Sequence, residues 1–247
     1  AQEKKSHTLD KIRDFGAIYV AHREAAIPFS YIDVDGKAIG YSVDLCAHVI
    51  DAVKARLNLP NLEVLPVPTT AGSRQMMLEA GTVDLDCSSV TNTQQRQRYV
   101  AFSVTTFAAG ITALVRKDSG IRSIRDLKDK VVVTTSGTTA DTYVKMAAAR
   151  QGLALNYRFG RDNDQSLRQL LNGQADVMVL DDVLLQGLLM TSPEADALKL
   201  AVLEARFGVE PYAIMLRRND SEFKKLVDDT LIGLMKSGEF TRIYNKW

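Results

Sequence analysis

The chain has 247 residues, of which 46% are hydrophobic and 25% are charged, and this composition is typical of a globular protein with one large domain or two of ordinary size. Its 31 basic and 30 acidic residues leave a formal charge of +1, which gives no indication of binding to nucleic acid or to an anionic membrane surface. No apolar run in the sequence approaches the length needed to cross a bilayer.

The first part of the chain is predicted to alternate between helices and strands. The clearest element is a long helix at about 42–57, where apolar residues recur at helical spacing. Glycine and proline mark the ends of the other elements. In chain order, these are a helix at 9–15, a strand at 17–21, a turn at 33–36, a strand at 62–66, a short helix at 73–80 and a strand at 83–87.

The segment 84–103 places several polar groups where a buried strand ends. Ser89 and Thr91 follow the predicted strand, within a run of hydroxyl and amide side chains. Thr93 is predicted to cap a helix that carries Arg96 in its first turns. Hydroxyls, helix amides and a guanidinium then lie close together, and this combination suits a carboxylate. Taken alone, the same residues are equally typical of an ordinary capped helix with its arginine in solvent.

The rest of the chain repeats the alternation, which predicts parallel βαβ units and open α/β sheets. The units fall into two sets, 1–113 and 114–207, and the tail 208–247 is predicted to return to the first set. We therefore expect a two-lobe α/β fold, each lobe an open, mostly parallel sheet with flanking helices, joined by two crossing segments. The predicted strands here are 131–134, 157–160, 177–180, 198–203 and 212–216, and the helices are 139–150, 166–171, 183–190 and 222–236.

A short internal repeat, called an echo below, indicates that the two lobes are related. The motif Gly-Thr-Val-Asp at 81–84 recurs in type as Gly-Gln-Ala-Asp at 173–176, each between a helix end and a strand start. Five residues beyond the two aspartates lie Ser89 and Asp181, at predicted strand exits. Ligands of open α/β sheets bind outside the carboxyl ends of strands, so facing lobes would place both side chains in one cleft. Chance similarity is the alternative explanation for so short an echo.

Polar side chains at predicted strand exits and helix starts make up the candidate site. The loop 136–139 could cradle an anion with its backbone amides, but it lacks the lysine of a nucleotide-binding P-loop and is also typical of a plain helix cap. A carboxylate after the strand at 177–180, from Asp181 or Asp182, could hold an ammonium group or cap the next helix. The candidate ligand-binding residues are Arg23, Ser73, Arg74, Ser89, Thr91, Arg96, Thr138, Thr139, Asn163 and Asp181.

Three segments resemble the periplasmic amino-acid-binding proteins that serve as solute receptors of ABC importers. They are 28–45 (Pro-Phe-Ser-Tyr to Gly-Tyr-Ser-Val-Asp-Leu), 91–103 (Thr-Asn-Thr-Gln-Gln-Arg to Phe-Ser) and 237–247 (Ser-Gly-Glu to Lys-Trp). The likeness extends over nearly the whole chain. Four shorter motifs are more narrowly similar to the glutamate/aspartate-binding branch of that family: His-Arg-Glu at 22–24, Ser-Arg at 73–74, Val-Thr-Thr-Ser-Gly-Thr-Thr at 133–139 and Asp-Asp at 181–182.

The resemblance implies roles for the candidate residues that would bind the amino-acid backbone of a ligand. Its α-carboxylate would meet Arg96, Thr91 and Ser89 of the first lobe. Its α-ammonium group would meet Asp181 of the second lobe. The resemblance thus implies one anion subsite and one cation subsite on opposite sides of the cleft.

The acidic-ligand branch also implies a subsite for the side chain of the ligand. Two further arginines address a second carboxylate in that branch, and Arg23 and Arg74 match them. Thr138 and Thr139 match a second-lobe loop that contacts the acid groups of the ligand. Asn163 stands where a histidine is expected, and this departure weakens the case for glutamate over a shorter or neutral relative.

A count of charges favours an acidic ligand, provided that Arg23 and Arg74 both point inward. The three arginines against Asp181 alone give the proposed cleft a surplus of two positive charges. An amino acid with a neutral side chain would leave these positive charges uncompensated. A buried guanidinium without a counter-charge costs on the order of 3–5 kcal/mol. A dicarboxylic amino acid carries a net charge of −1 and pairs both arginines. Glutamate or aspartate therefore fits better than glutamine.

The leading hypothesis is a non-enzymatic, monomeric, periplasmic receptor that closes its lobes around glutamate or aspartate and is recognised by a membrane ABC permease. The polar start of the chain, without an initiator methionine, is typical of the mature end left by signal-peptide cleavage or of a trimmed chain. No cofactor, metal site or nucleic-acid surface is expected.

Three alternatives follow from the same residues. The cleft could bind a neutral polar amino acid, glutamine or asparagine. The chain could be the ligand-sensing domain of a membrane receptor. It could also be a dehydratase-like enzyme on this scaffold, since a fold does not dictate a function, with His22 or Glu24 as the acid or base.

The two cysteines, Cys46 and Cys87, form neither a Cys-x-x-Cys pair nor a zinc-binding pattern. Both lie among apolar residues, one on a predicted helix and one at a predicted strand end. Buried thiols are the favoured prediction. An export compartment would permit a disulfide without requiring it.

Overall fold

The computed structural model describes residues 6–247, and the predicted mature start at 1–5 lies outside the described residues. Among those described residues, no helix has the combined length and apolar character that crossing a membrane would require. The helices are α1 (His7–Phe15), α2 (Tyr41–Leu57), α3 (Arg74–Glu79), α4 (Ala140–Arg150), α5 (Asn163–Leu171), α6 (Asp182–Thr191), α7 (Glu194–Ala197), α8 (Ser221–Ser237) and α9 (Glu239–Lys246).

Strands alternate with helices over much of the chain, as predicted, although three runs of consecutive strands in the described chain have no α-helix between them. The strands are β1 (Ala17–His22), β2 (Ala25–Ala26), β3 (Ser30–Ile32), β4 (Ala38–Ile39), β5 (Glu63–Pro68), β6 (Leu85–Asp86), β7 (Val100–Phe102), β8 (Phe107–Arg116), β9 (Val131–Thr135), β10 (Asn156–Gly160), β11 (Val177–Asp181), β12 (Leu200–Val202), β13 (Gly208–Tyr212) and β14 (Met215–Arg217).

Two large sheets, one in each lobe, confirm the predicted two-lobe α/β fold. The first sheet has the order β5-β1-β6-β14-β7, and the second has the order β10-β9-β11-β8-β12 with β13 also paired to β8. Among the described residues, all strands but one in each of these sheets run in the same direction, so the sheets are mostly parallel, as predicted. β14 runs antiparallel to β6 and β7, and β8 runs antiparallel to its partners. Both antiparallel strands lie where the chain passes between the two sheets: β8 follows β7 of the first sheet, and β14 follows β13 of the second.

The crossing segments are β8 and β13, which pair with each other in an antiparallel ladder from Phe107↔Tyr212 to Ile111↔Gly208. Both strands belong to the second sheet. The second sheet therefore begins at Phe107 and extends to Tyr212, beyond the predicted divisions at 113/114 and 207/208. A continuous apolar strand has the same residue pattern in either sheet, so the sequence contains no signal for the point of transfer.

Helix α2 covers one face of the first sheet and confirms the long helix predicted at 42–57. Its residues Leu45, Val49 and Val53 are fully buried, as the helical spacing requires. The helix begins after Gly40, whose φ of +138° is a conformation that side chains rarely adopt. A Cβ at Gly40 would lie 2.3 Å from the carbonyl oxygen of Phe29, so this close approach requires glycine.

Asp220 ties the start of the described chain to helix α8. Its carboxylate accepts hydrogen bonds from the hydroxyl of Ser6 (2.8 Å) and the backbone amide of Thr8 (2.8 Å). It also caps α8 by accepting from the amide of Phe223 at 3.0 Å. Asp220 is 5% exposed, so these donors would find few water molecules to replace it.

A disulfide joins Cys46 of α2 to Cys87, which follows β6, with a Cα–Cα distance of 6.1 Å. The predicted burial of both residues is confirmed, since each is 1% exposed, but the prediction of free thiols is wrong. The bond forms because the inner face of α2 packs over the end of β6. Sequence spacing alone carries no information about that approach, which depends on tertiary packing.

Candidate functional site

A narrow cavity lies between the two lobes. Nine of the ten predicted ligand-binding residues line it, together with Leu184. The lobes touch beside this cavity, where the guanidinium of Arg96 donates to the carbonyl oxygen of Gly137 at 2.9 Å. The cavity is lined by Arg23, Arg74, Ser89, Thr91, Arg96, Thr138, Thr139, Asn163, Asp181 and Leu184.

Ser73 is the one predicted residue that does not line the cavity. Its hydroxyl accepts from the backbone amide of Thr70 at 3.0 Å and from the Thr70 hydroxyl at 3.2 Å. These bonds close a tight turn before α3. The turn presents the next residue, Arg74, to the cleft, so Ser73 shapes the approach of Arg74 rather than facing the cavity itself.

Arg74 is the first residue of α3 and is 3% exposed. It donates to the carbonyl oxygen of Ser89 at 3.1 Å and to the hydroxyl of Ser88 at 3.4 Å. The hydroxyl of Ser88 in turn donates to Asp86, a fully buried carboxylate at the end of β6. Burial lowers the pKa of Arg74 and raises the pKa of Asp86. Asp86 therefore lies behind the arginine as a nearby buried counter-charge.

Arg23 follows β1 and is held by its backbone amide, which donates to the hydroxyl of Ser30 at 2.9 Å. Its side chain lines the cavity and the residue is 5% exposed. Within residues 6–247 its guanidinium has neither a hydrogen-bond acceptor nor an ion-pair partner. Burial, and then the positive charge of Arg74, lower the pKa of Arg23 to about 10. Arg23 is thus a cation in the cleft whose hydrogen-bonding capacity is unused.

Arg96 lies in a single 3₁₀ turn (Arg96–Arg98) rather than in the longer helix that was predicted. The predicted cap is present, because the hydroxyl of Thr93 accepts from the amide of Arg96 at 3.2 Å. The guanidinium donates to the carbonyl oxygen of Thr91 at 2.8 Å, which fixes it over the cavity. Burial, and then the charge of Arg74, lower the pKa of Arg96 to about 10.

Asp181 ends β11 on the opposite side of the cavity and is 4% exposed. It accepts a hydrogen bond from the hydroxyl of Tyr212. Burial, and then the negative charge of Glu210, raise the pKa of Asp181 well above its usual range. Its neighbour Asp182 does not line the cavity and instead forms an ion pair with Arg206 at 3.0 Å.

Glu210 of β13 is 2% exposed and was missed in the sequence, where it lies in a segment without a predicted element. One of its oxygens accepts from the hydroxyl of Thr91 at 2.6 Å and from the hydroxyl of Thr139 at 2.6 Å. The other oxygen has no partner in the described part of the chain. Glu210 therefore bridges one residue of each lobe from behind the cavity wall.

Asn163, the first residue of α5, is 1% exposed, and neither atom of its amide has a partner among residues 6–247. Thr138 donates its hydroxyl hydrogen to the carbonyl oxygen of Thr135 at 2.7 Å. The loop before α4 closes on the first lobe at Gly137, where a Cβ would lie 2.6 Å from the carbonyl carbon of Ala71. The second lobe thus contributes one amide, two hydroxyls and one carboxylate to the cavity.

The charges of the site differ from the predicted count. Three arginines face three buried carboxylates, so the formal charges sum to zero when all six groups are ionised. The predicted surplus of two positive charges is wrong, because that count omitted Asp86 and Glu210. The charges are nevertheless separated in space: the arginines come from the first lobe, and Asp181 and Glu210 come from β11 and β13 of the second sheet. A cavity with one cationic end and one acceptor end suits a zwitterion.

Comparisons of the sequence with known proteins point to one family. The family model described as bacterial extracellular solute-binding proteins, family 3, matches residues 18–247. A glutamate/aspartate import solute-binding protein of Escherichia coli is 39% identical over 240 residues, which cover 97% of this chain and 79% of the relative. An L-glutamate/L-aspartate-binding protein of Pseudomonas aeruginosa is 40% identical over 241 residues, with the same coverage.

Solved structures agree with these sequence matches. A mutant of ArgBP from T. maritima superposes with a TM-score of 0.84 at 27% identity, covering 97% of this chain and 98% of that one. The ancestral amino acid-binding protein AncCDT-1, a precursor of cyclohexadienyl dehydratase, gives a TM-score of 0.81 at 29% identity, covering 97% of this chain and 99% of that one.

Proposed function

The chain belongs to family 3 of the bacterial extracellular solute-binding proteins, and from this premise we propose that it binds glutamate or aspartate between its lobes. Receptors of this family deliver a free amino acid to a membrane ABC permease. The names of two relatives at 39% and 40% identity support an acidic ligand. We further propose that the protein acts as a monomer in the periplasm, which sedimentation and cell fractionation would test.

The observation that carries the proposal is the buried guanidinium of Arg23. It lines the cleft, is 5% exposed and makes no ion pair or hydrogen bond within residues 6–247. A buried charge without a partner is strongly unfavourable, and a bidentate carboxylate is the group that satisfies a guanidinium best. The second carboxylate of a dicarboxylic amino acid would supply that partner. A neutral amide would offer a single oxygen and no charge.

The proposed binding mode assigns each group of the ligand to one side of the cavity. The α-carboxylate lies against Arg96 and Ser89, and the side-chain carboxylate lies between Arg23 and Arg74. The α-ammonium group lies against Asp181, which is held by Tyr212. The second-lobe residues Thr138, Thr139 and Asn163 close over the ligand.

The revised count of charged groups does not by itself favour an acidic ligand. With all six groups ionised, a ligand of net charge −1 would leave the site one negative charge in excess. Burial raises the pKa of Asp86, and uptake of one proton by this carboxyl group on ligand binding would restore neutrality. The proposal therefore includes a coupling between ligand binding and protonation.

Isothermal titration calorimetry with glutamate, aspartate, glutamine and asparagine tests the ligand class. The proposal predicts saturable heat with at least one of the two acids and weaker binding of the matching amide. Heat with the amides alone, or with none of the four, would remove the acidic ligand. Repeating the titration in buffers of different ionisation enthalpy measures the proposed protonation.

We propose a receptor rather than an enzyme, in line with the names of the relatives, which are binding proteins. His22, one of the acid–base candidates, lines a separate groove beside α2 and not the cleft. Asp181, with its raised pKa, is the group that would suit a general acid, and the dehydratase precursor among the structural neighbours gives this alternative a specific basis. Proton NMR of the bound ligand over hours tests it: an unchanged spectrum supports the receptor, and a new product contradicts it.

A further inference from the structure

Glu210 lies directly behind the cavity wall and contacts both lobes, but it does not itself line the cavity. Two hydroxyls donate hydrogen bonds to its carboxylate. One belongs to Thr91, which follows β6 in the first lobe, and the other to Thr139, which precedes α4 in the second. Both donor–acceptor distances are 2.6 Å, which are short for hydroxyl donors and indicate strong bonds. Both threonines, unlike Glu210, line the cavity.

These two bonds decide what the threonines can offer to a ligand. A threonine hydroxyl has one hydrogen to donate and two lone pairs with which to accept. A carboxylate oxygen can only accept, so Thr91 and Thr139 each commit their single hydrogen to Glu210. What remains toward the cavity is a pair of oxygen lone pairs. In this arrangement neither hydroxyl can donate to a ligand carboxylate.

We propose that Glu210 is a positioning residue that turns the hydroxyls of Thr91 and Thr139 into acceptors for the ammonium group of the ligand. With Asp181 on the same cavity, the three side chains form an acceptor cluster for a cation. This changes the role that the resemblance implied for the Thr91 side chain, which was contact with the α-carboxylate. The inference rests on the proposed binding of an α-amino acid, but not on the acidity of its side chain.

A purely structural role for Glu210 is the alternative, since a carboxylate that bonds to both lobes would also hold them together. The two roles differ in their dependence on the ligand. A latch between lobes contributes equally to the binding of every ligand that closes the cleft. An acceptor cluster contributes only when the ligand carries an ammonium group.

The test compares glutamate with glutarate, which lacks the amino group but keeps both carboxylates. Affinities of the wild-type protein, Glu210→Met and Glu210→Gln are measured for both ligands by calorimetry or by ligand-dependent melting. We expect Glu210→Met to lower the preference for glutamate over glutarate at least tenfold. Glu210→Gln should lower it less, because the amide oxygen can still accept from both hydroxyls. Equal losses for the two ligands, or no loss, would overturn the proposal.

Variants of the threonines keep the test decisive if Glu210→Met fails to fold. Thr91→Val and Thr139→Val should each reduce the same preference, and Thr91→Ser should restore it because serine keeps the hydroxyl. Unchanged preference in both valine variants would contradict the acceptor role.

The wild-type titrations separate this inference from the proposed function. If the wild-type protein binds a neutral amino acid instead of an acidic one, the acidic ligand is wrong, and the same comparison is made with that amino acid and its deaminated analogue. If no amino acid binds, both proposals fail.

Discussion

Replacing Arg23 with methionine removes the guanidinium that has no partner in the described chain while keeping a long side chain in the cleft. We expect the affinity for an acidic amino acid to fall at least about a hundredfold, equivalent to roughly 3 kcal/mol. The affinity for the corresponding amide should fall by less than about tenfold, which is about 1.4 kcal/mol. The variant would therefore lose most of its preference for the acid.

The magnitude follows from the burial of the guanidinium. The pKa of Arg23 is lowered to about 10, chiefly by burial. That value lies roughly two to three pH units below that of a free arginine, and at about 1.4 kcal/mol for each unit it corresponds to a cost of about 3 kcal/mol for keeping the charge in the cleft. A ligand carboxylate relieves this cost when it pairs with the guanidinium. Removing one partner of a buried pair costs about 3–5 kcal/mol, a range that includes the same value.

Calorimetric titration of Arg23→Met with glutamate and glutamine checks this prediction. Arg161→Met is the matched control, since that side chain is 80% exposed and lies outside the cleft cavity, in a neighbouring pocket that Arg23 also lines. The control should leave both affinities within about threefold of wild type, because exposed charges contribute little. An unchanged glutamate affinity in Arg23→Met, or equal losses for glutamate and glutamine, would refute the reasoning.

Three further predictions concern Asp181 of the second lobe, the disulfide, and the Asp220 carboxylate that links the start of the described chain to α8. Asp181→Asn should abolish measurable amino-acid binding yet leave the ligand-free melting temperature equal or higher, because the raised pKa of Asp181 means that its ionised form destabilises the ligand-free fold. Because the pKa of Asp181 is raised in the fold, the stability of the ligand-free protein should fall as pH rises through that pKa. The affinity for the amino acid should instead fall as pH drops through it, since the carboxylate that binds the ammonium group becomes protonated. Melting and titration between pH 4 and 8 measure both trends, and a pH-independent affinity would contradict the ammonium role. Replacing both Cys46 and Cys87 with alanine removes a disulfide that spans 41 residues. By the chain-entropy relation, chemical denaturation should show a free energy of unfolding lower by about 4 kcal/mol. A loss below about 1 kcal/mol would count against this stabilising role of the disulfide. Asp220→Ala leaves two backbone amides and one hydroxyl without their acceptor and should lower the free energy of unfolding by about 3 kcal/mol. Asp220→Asn should retain part of that stability. Equal losses in both variants would contradict the capping role.

The architecture could be predicted from the sequence because its signals are local. The apolar spacing that predicted the helix at 42–57 is a direct consequence of burying one face of α2. Alternation of strands with helices identified both lobes. The antiparallel strand of each sheet, β14 in the first and β8 in the second, could not be predicted, because the residue pattern of a strand specifies neither its direction nor its partners.

Most of the cleft could also be predicted, because polar residues at strand exits meet at one edge of a sheet. Asp86 and Glu210 were missed for different reasons. Asp86 alternates with apolar residues inside a short strand, which gave a usable signal, since a carboxylate within an apolar run requires a nearby partner. Glu210 precedes a proline in a segment with no periodicity, and its neighbours Thr91 and Thr139 are distant in sequence.

The disulfide shows the limit of reasoning from composition. Cys46 and Cys87 are separated by 41 residues and lie on different elements. Their approach depends on how α2 packs over the first sheet, which neither residue type nor spacing specifies. Ser73 illustrates the same limit on a smaller scale, because a turn of its own, closed on Thr70, directs its hydroxyl away from the cavity.

A crystal structure of the protein with its bound amino acid tests the central claim most directly. We predict a dicarboxylic ligand whose side-chain carboxylate lies about 2.7–2.9 Å from the guanidinium nitrogens of Arg23, with the ammonium group against Asp181. A bound ligand without a second carboxylate, or one whose carboxylate leaves Arg23 unpaired or turned into solvent, would contradict the account.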